Sequence, residues 1–109
     1  MAPSCIRENG TSADAEPDPD GRVNDVERIE YLHAFLTEAL DACEAGLNVR
    51  GYYAWSLIDN YEWGAGYSMR YGLVRAMSPT FDRVLKASGA WYRGVDRTRT
   101  LPLLEETAR

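Results

Sequence analysis

"DVERIEYLHAFLTEALDACEAGLNVRGYYAWSL", residues Asp25 to Leu57, changes its apolar period partway along. At first Val26, Ile29, Leu32, Leu36, Leu40 and Cys43 recur every three or four positions, the spacing that lines one face of a helix. After Gly46 comes "LNVRGYYAWSL", short and rich in Val, Tyr and Trp, the composition of a strand buried on both faces. The pattern predicts a helix over Asp25–Ala45 followed by a strand. "NDVE" adds a capping-box signal at the helix start, with Glu27 three positions after Asn24.

Upstream, "NGTSADAEPDPDGR" (Asn9–Arg22) is dense in turn-forming residues and reads as a loop. Before it, Pro3–Arg7 reads as a short strand. Downstream, "RYGLV" (Arg70–Val74) reads as another short strand and "FDRVLKASGAWYRGV" (Phe81–Val95) as a second amphipathic helix. Gly89 weakens that helix by about 1 kcal/mol relative to Ala. Alternation of strands and helices implies an α/β fold with parallel strands joined by crossover helices. In such folds ligands sit just past the carboxyl ends of the strands. Acids follow both ends here: Glu8 after "CIR", and Asp59 and Glu62 after "YYAWSL".

Bulk properties narrow the function. The chain has 109 residues, is 45% hydrophobic and carries a net charge of −5, within the range of one soluble domain. An acidic balance argues against sequence-independent nucleic-acid binding, which needs clustered Lys and Arg. Arg93, Arg97 and Arg99 read as a solvated tail. No apolar run is long enough for a membrane span, and Met1–Gly10 lacks the layout of a secretory signal, so a cytoplasmic protein is expected. Cys5 and Cys43, far apart and outside any C-x-x-C, do not read as a disulfide or metal framework. No metal or cofactor is expected.

The stretch "WSLIDNYEWGAGY" (Trp55–Tyr67) concentrates aromatic rings, acids and glycines. Sugars present apolar C–H faces and a rim of hydroxyls, so a sugar site needs flat aromatic platforms beside carboxylates. Trp55, Tyr61, Glu62 and Trp63 fit that need. The competing reading is an aromatic loop that merely plugs the end of a core.

Three segments, "IRENG" (Ile6–Gly10), "DGRVNDVERIEYLHAFLTEAL" (Asp20–Leu40) and "GYYAWSLIDNYEWGAGYSMRYGLV" (Gly51–Val74), together resemble the C-terminal portion of glycoside hydrolase family 1, the β-glucosidase family. "FDRVLKASGAWY" resembles the last helix of its barrel. The resemblance implies a fragment of a (β/α)8 TIM barrel, about two βα units over residues 1–95, with 96–109 an unmatched tail. It implies retaining hydrolysis of β-glycosides, with Glu8 as the nucleophile. Trp55 would be the platform beneath the sugar, Glu62 would bind the outer hydroxyls, Trp63 would hydrogen-bond a neighbouring hydroxyl, and Tyr71 stands where a Phe is usual beside the sugar. The implied partners are a β-glycoside substrate and either the missing N-terminal barrel portion or a further copy of the chain.

Two departures accompany the resemblance. Arg7 replaces the usual Thr before the nucleophile and puts a cation beside Glu8, where an ion pair would compete with its role. The Asn-Glu-Pro motif that carries the family's general acid is absent. Glu16–Pro17 is preceded by Ala15, follows Glu8 and reads as solvated loop. An isolated chain without its acid is therefore expected to be inactive, and a non-catalytic remnant is the alternative. His33 reads as a surface or satisfied helix residue. Asp59 and Asn60 read as bonding the loop backbone, and Arg70 as pairing with an acid at the rim.

Overall fold

The computed structural model describes residues 2–13, 16–60, 69–77 and 82–104. Its elements run β1 (Ser4–Asn9), α1 (Val26–Glu44), β2 (Val49–Ala54), β3 (Val74–Met77), β4 (Asp82–Leu85) and α2 (Ala87–Thr98). β1 and β2 are parallel neighbours joined by the α1 crossover, with Ser4 opposite Val49, Ile6 opposite Tyr52 and Asn9 opposite Ala54. Their carboxyl ends therefore coincide. The chain thus holds two βα units, with an antiparallel β3–β4 hairpin before the last helix.

That hairpin corrects the expected second helix. Residues 82–85 are extended and pair with β3, Val74 opposite Leu85 and Met77 opposite Asp82, so the helix starts only at Ala87. Val84 and Leu85 suit either a helix face or a strand, and the ladder to the neighbouring hairpin arm decided between them. The strand expected at Arg70–Val74 also begins later, at Val74. The backbone before it is already committed, because Ser56 N donates to Tyr71 O at 3.0 Å and Leu73 N to Ser56 O at 2.9 Å. Gly89 is buried in the first turns of α2, where a Cβ would lie 2.7 Å from the Leu73 carbonyl oxygen. The missing Cβ, which also lowers its helix propensity, is what lets α2 approach the Leu73 backbone closely.

Helix α1 matches its expected span to within one residue, but no capping box forms. The N-cap is Asp25, and its carboxylate makes no cap bond. It instead accepts Ser88 N at 2.9 Å, Ser88 Oγ, and a charged hydrogen bond from Arg28. Arg28 further donates to the carbonyls of Thr11 and Arg70. This fully buried pair thus ties the starts of both helices to the segments that follow β1 and precede β3. We expect Asp25→Ala to destabilise the chain by about 3–5 kcal/mol, because it leaves the Arg28 charge buried and unpaired. A shift of the urea midpoint reads this directly.

The apolar stripe of α1 is covered unevenly: Ile29 and Leu32 are buried, while Val26 is 40% and Leu40 50% exposed. On β2, Tyr53 is 61% exposed. An amphipathic pattern states which face seeks burial, and what covers it depends on neighbouring elements. No helix among the described residues is long and apolar enough to cross a membrane.

Candidate active site

The end of β1 meets the end of β2 through their backbones. Trp55 N donates to Asn9 O at 2.7 Å. A Cβ on Gly10 would lie 1.8 Å from the Trp55 carbonyl oxygen, so only glycine permits this approach. The Trp55–Ser56 peptide is cis. Glu8 and Trp55 consequently share one end of the sheet. With Asn9, Gly10, Tyr31 and Tyr71 they line an open cavity of about 320 Å³.

Of the residues expected at the site, this cavity brings together Glu8, Trp55 and Tyr71; Glu62 and Trp63 lie outside the described residues. Asn9, Gly10 and Tyr31 are additions that sequence reasoning missed. A signal for Tyr31 existed: the first turns of a crossover helix lie near the carboxyl end of the preceding strand. Tyr52 Oη donates to Asn9 Oδ1, which fixes the asparagine beside Glu8. Burial, then the neighbouring Tyr92 and Tyr31, push the Tyr52 phenol pKa up, so Tyr52 stays a donor. The Glu8 carboxylate and the Tyr31 and Tyr71 hydroxyls have no hydrogen-bond partner among the described residues. Convergent polar groups beside an indole are what sugar binding requires.

The competing Arg7–Glu8 ion pair is not among the ion pairs of the described residues. Adjacent strand residues point to opposite faces, which separates the two charges. Glu16 is solvated loop, as expected, and also pairs with two arginines. Its Oε1 lies 2.9 Å from Arg70 Nη1 and its Oε2 3.4 Å from Arg75 Nη2, so the loop after β1 is tied to both flanks of Tyr71. This also supplies the acid expected for Arg70. The Arg70 hydrogen bond and charge, then the charge of Arg75, hold the Glu16 carboxyl below its usual range. A carboxyl with a lowered folded-state pKa stabilises fully above its unfolded value of about 4.3. That contribution disappears as pH falls through the lowered value. The melting-temperature difference between the native chain and Glu16→Gln is therefore expected to be small, constant above about pH 6 and absent near pH 2.

His33 Nε2 lies 2.9 Å from the Pro102 carbonyl oxygen and is a satisfied helix residue. Asn60 bonds locally to Ser56 Oγ and Ile58 O, whereas Asp59 reaches much further, to Gly72 and Lys86. Both cysteines are free and exposed. Among the described residues no group of His, Cys, Asp and Glu is placed to hold a metal ion.

Parallel βα units with an acid, an indole and phenols gathered at the strand ends are the arrangement by which βα barrels build ligand sites. The sequence model of glycosyl hydrolase family 1 matches residues 1–101. The chain is 44% identical over 96 residues to β-glucosidase A of Thermotoga maritima, which covers 88% of this chain and 22% of that protein. It is 43% identical over 90 residues to β-glucosidase A of Acetivibrio thermocellus, covering 83% of this chain and 20% of the relative. It is 42% identical over 101 residues to a 6-phospho-β-galactosidase of Lacticaseibacillus rhamnosus, covering 89% and 21%. A solved Thermotoga maritima β-glucosidase in complex with noeuromycin superposes with a TM-score of 0.90 at 42% identity, covering 92% of this chain and 23% of that one. The chain belongs to glycosyl hydrolase family 1. It spans about a fifth of the length of these relatives.

Proposed function

We propose that this chain carries the nucleophile and glycone-binding half of a β-glucosidase-type site that hydrolyses β-glycosides with retention. The observation that supports it is one cavity at the carboxyl ends of two parallel strands, lined by Glu8, Trp55 and Tyr71. Glu8 attacks the anomeric carbon, forming an ester to the sugar as the bond to the leaving-group oxygen breaks. Trp55 holds the apolar face of the ring, and Tyr71 walls its side. Glu62 and Trp63 take the outer hydroxyls, contacts that can strengthen in the transition state. Water then releases the sugar from Glu8.

The leaving oxygen needs a proton from a second carboxyl group about 5–5.5 Å from the first. That acid belongs to the rest of the barrel, which also covers the open edges of β1 and β2. A second reading, a non-catalytic remnant that at most binds sugar or another chain, is favoured by one fact: Glu8 is the only carboxylate among the described residues lining the cavity.

The test is a chimeric barrel in which this chain replaces the matching part of Thermotoga maritima β-glucosidase A. Relatives include a 6-phospho-β-galactosidase, so overall identity does not choose the glycone. Glu62 does, because a phosphate dianion beside its carboxylate is repelled. The chimera should prefer an aryl β-glucoside over its 6-phosphate by about tenfold or more. The reverse preference refutes the neutral-sugar assignment, and a folded but inert chimera favours the remnant.

A further inference from the structure

We infer that Asp59 and Lys86 form a positioning pair that holds the cavity wall made by Trp55 and Tyr71 against the start of α2. A single carboxylate oxygen makes the junction. Asp59 Oδ1 accepts Lys86 Nζ at 2.8 Å and the backbone N–H of Gly72, next to Tyr71, at 2.9 Å. The two residues are also joined to the same strip of backbone: Asp59 N donates to Val74 O at 3.0 Å and Lys86 N to Leu73 O at 2.9 Å. Three segments distant in sequence meet there: the turn after Trp55, the wall at Tyr71–Val74, and the N-cap of α2.

The pair is a poor device for stability alone. Both side chains are buried, Lys86 1% and Asp59 8% exposed, and the second Asp59 oxygen is buried with no hydrogen-bond partner among the described residues. Taking both charges out of water offsets most of their attraction, so neutral replacement of such a pair is often harmless to stability. Burial lowers the Lys86 pKa, and the Asp59 hydrogen bond opposes that shift. What the pair adds is direction. It bonds the turn to Gly72 and to the helix at once, whereas the backbone bonds of Ser56 join the turn only to residues 71–73. The consequence for sugar binding rests on the proposed function; the positioning itself does not.

Amide hydrogen exchange on the full chain tests this without any sugar, so its failure is distinct from failure of the catalytic reading. Asp59→Asn and Lys86→Met each leave one buried charge unpaired and should lower the melting temperature. The double variant removes both charges and should recover that temperature. Its amides at Ser56, Gly72, Leu73 and Val74 should still exchange about tenfold or more faster than in the native chain. Those of β1, β2 and α1 should exchange at native rates. Native exchange throughout the double variant, or acceleration spread evenly over β1, β2 and α1, overturns the inference.

Discussion

Changing Glu8 to Gln in a barrel completed with this chain is expected to lower kcat on an aryl β-glucoside by on the order of 10⁴-fold or more. Gln keeps the size of the side chain and can still hydrogen-bond a hydroxyl, so a residue that only bound sugar would lose far less. Without the carboxylate no glycosyl ester forms, and the double displacement has no first step. Stereochemistry gives an independent check. Glu8→Ala opens space for azide, and a single displacement by azide must invert the anomeric carbon where the native reaction retains it. A retained product, or a loss of tenfold or less in Glu8→Gln, places the nucleophile elsewhere.

The second large effect concerns the acid. Glu8 is the one carboxylate lining the cavity among the described residues, and general acid catalysis is typically worth about 10²–10⁴-fold. The chain on its own is therefore expected to cleave an alkyl β-glucoside no faster than buffer, since that leaving group needs a proton. An activated aryl β-glucoside needs little acid assistance, so any residual turnover should appear there and disappear in Glu8→Gln. Glu62 is no substitute, because its proposed task is at the outer hydroxyls, away from the leaving oxygen. Monomeric chain that turned over the alkyl glucoside at ordinary enzyme rates would show that it supplies both carboxyl groups. Parallel strands with uncovered edges also favour self-association, which light scattering during the assay would report.

The parts of the site that were legible are those whose chemistry is carried by residue type. Glu8 in "IRENG" and Trp55 in "WSLIDN" stood out because a carboxylate and an indole after strand ends have few structural reasons to be there. Tyr31 and Asn9 did not stand out. Tyr31 sits within an ordinary amphipathic helix, and its access to the cavity depends on how α1 lies over β1. Glu16 is solvated as expected, its side chain 67% exposed, but its pairing with Arg70 and Arg75 was hidden because they are more than fifty positions away in sequence. Asp59 looked like a local turn residue because its partners, Gly72 and Lys86, lie beyond the turn in sequence.

By itself the sequence determined the α/β alternation, the span of α1 and the placement of an acid and a tryptophan at neighbouring strand ends. Those features follow from local periodicity, turn chemistry and the parallel geometry of a crossover. Tertiary structure alone decided that residues 82–85 form a strand, that Asp25 serves Ser88 and Arg28 instead of capping its helix, and that Gly10 lies against the Trp55 carbonyl. The deciding partners are β3 for residues 82–85, Ser88 for Asp25 and Trp55 for Gly10, none of which local preference names. A backbone ladder, a buried charge or a close approach wins over local preference because an unsatisfied polar group or a clash inside the fold costs more than the propensity it overrides.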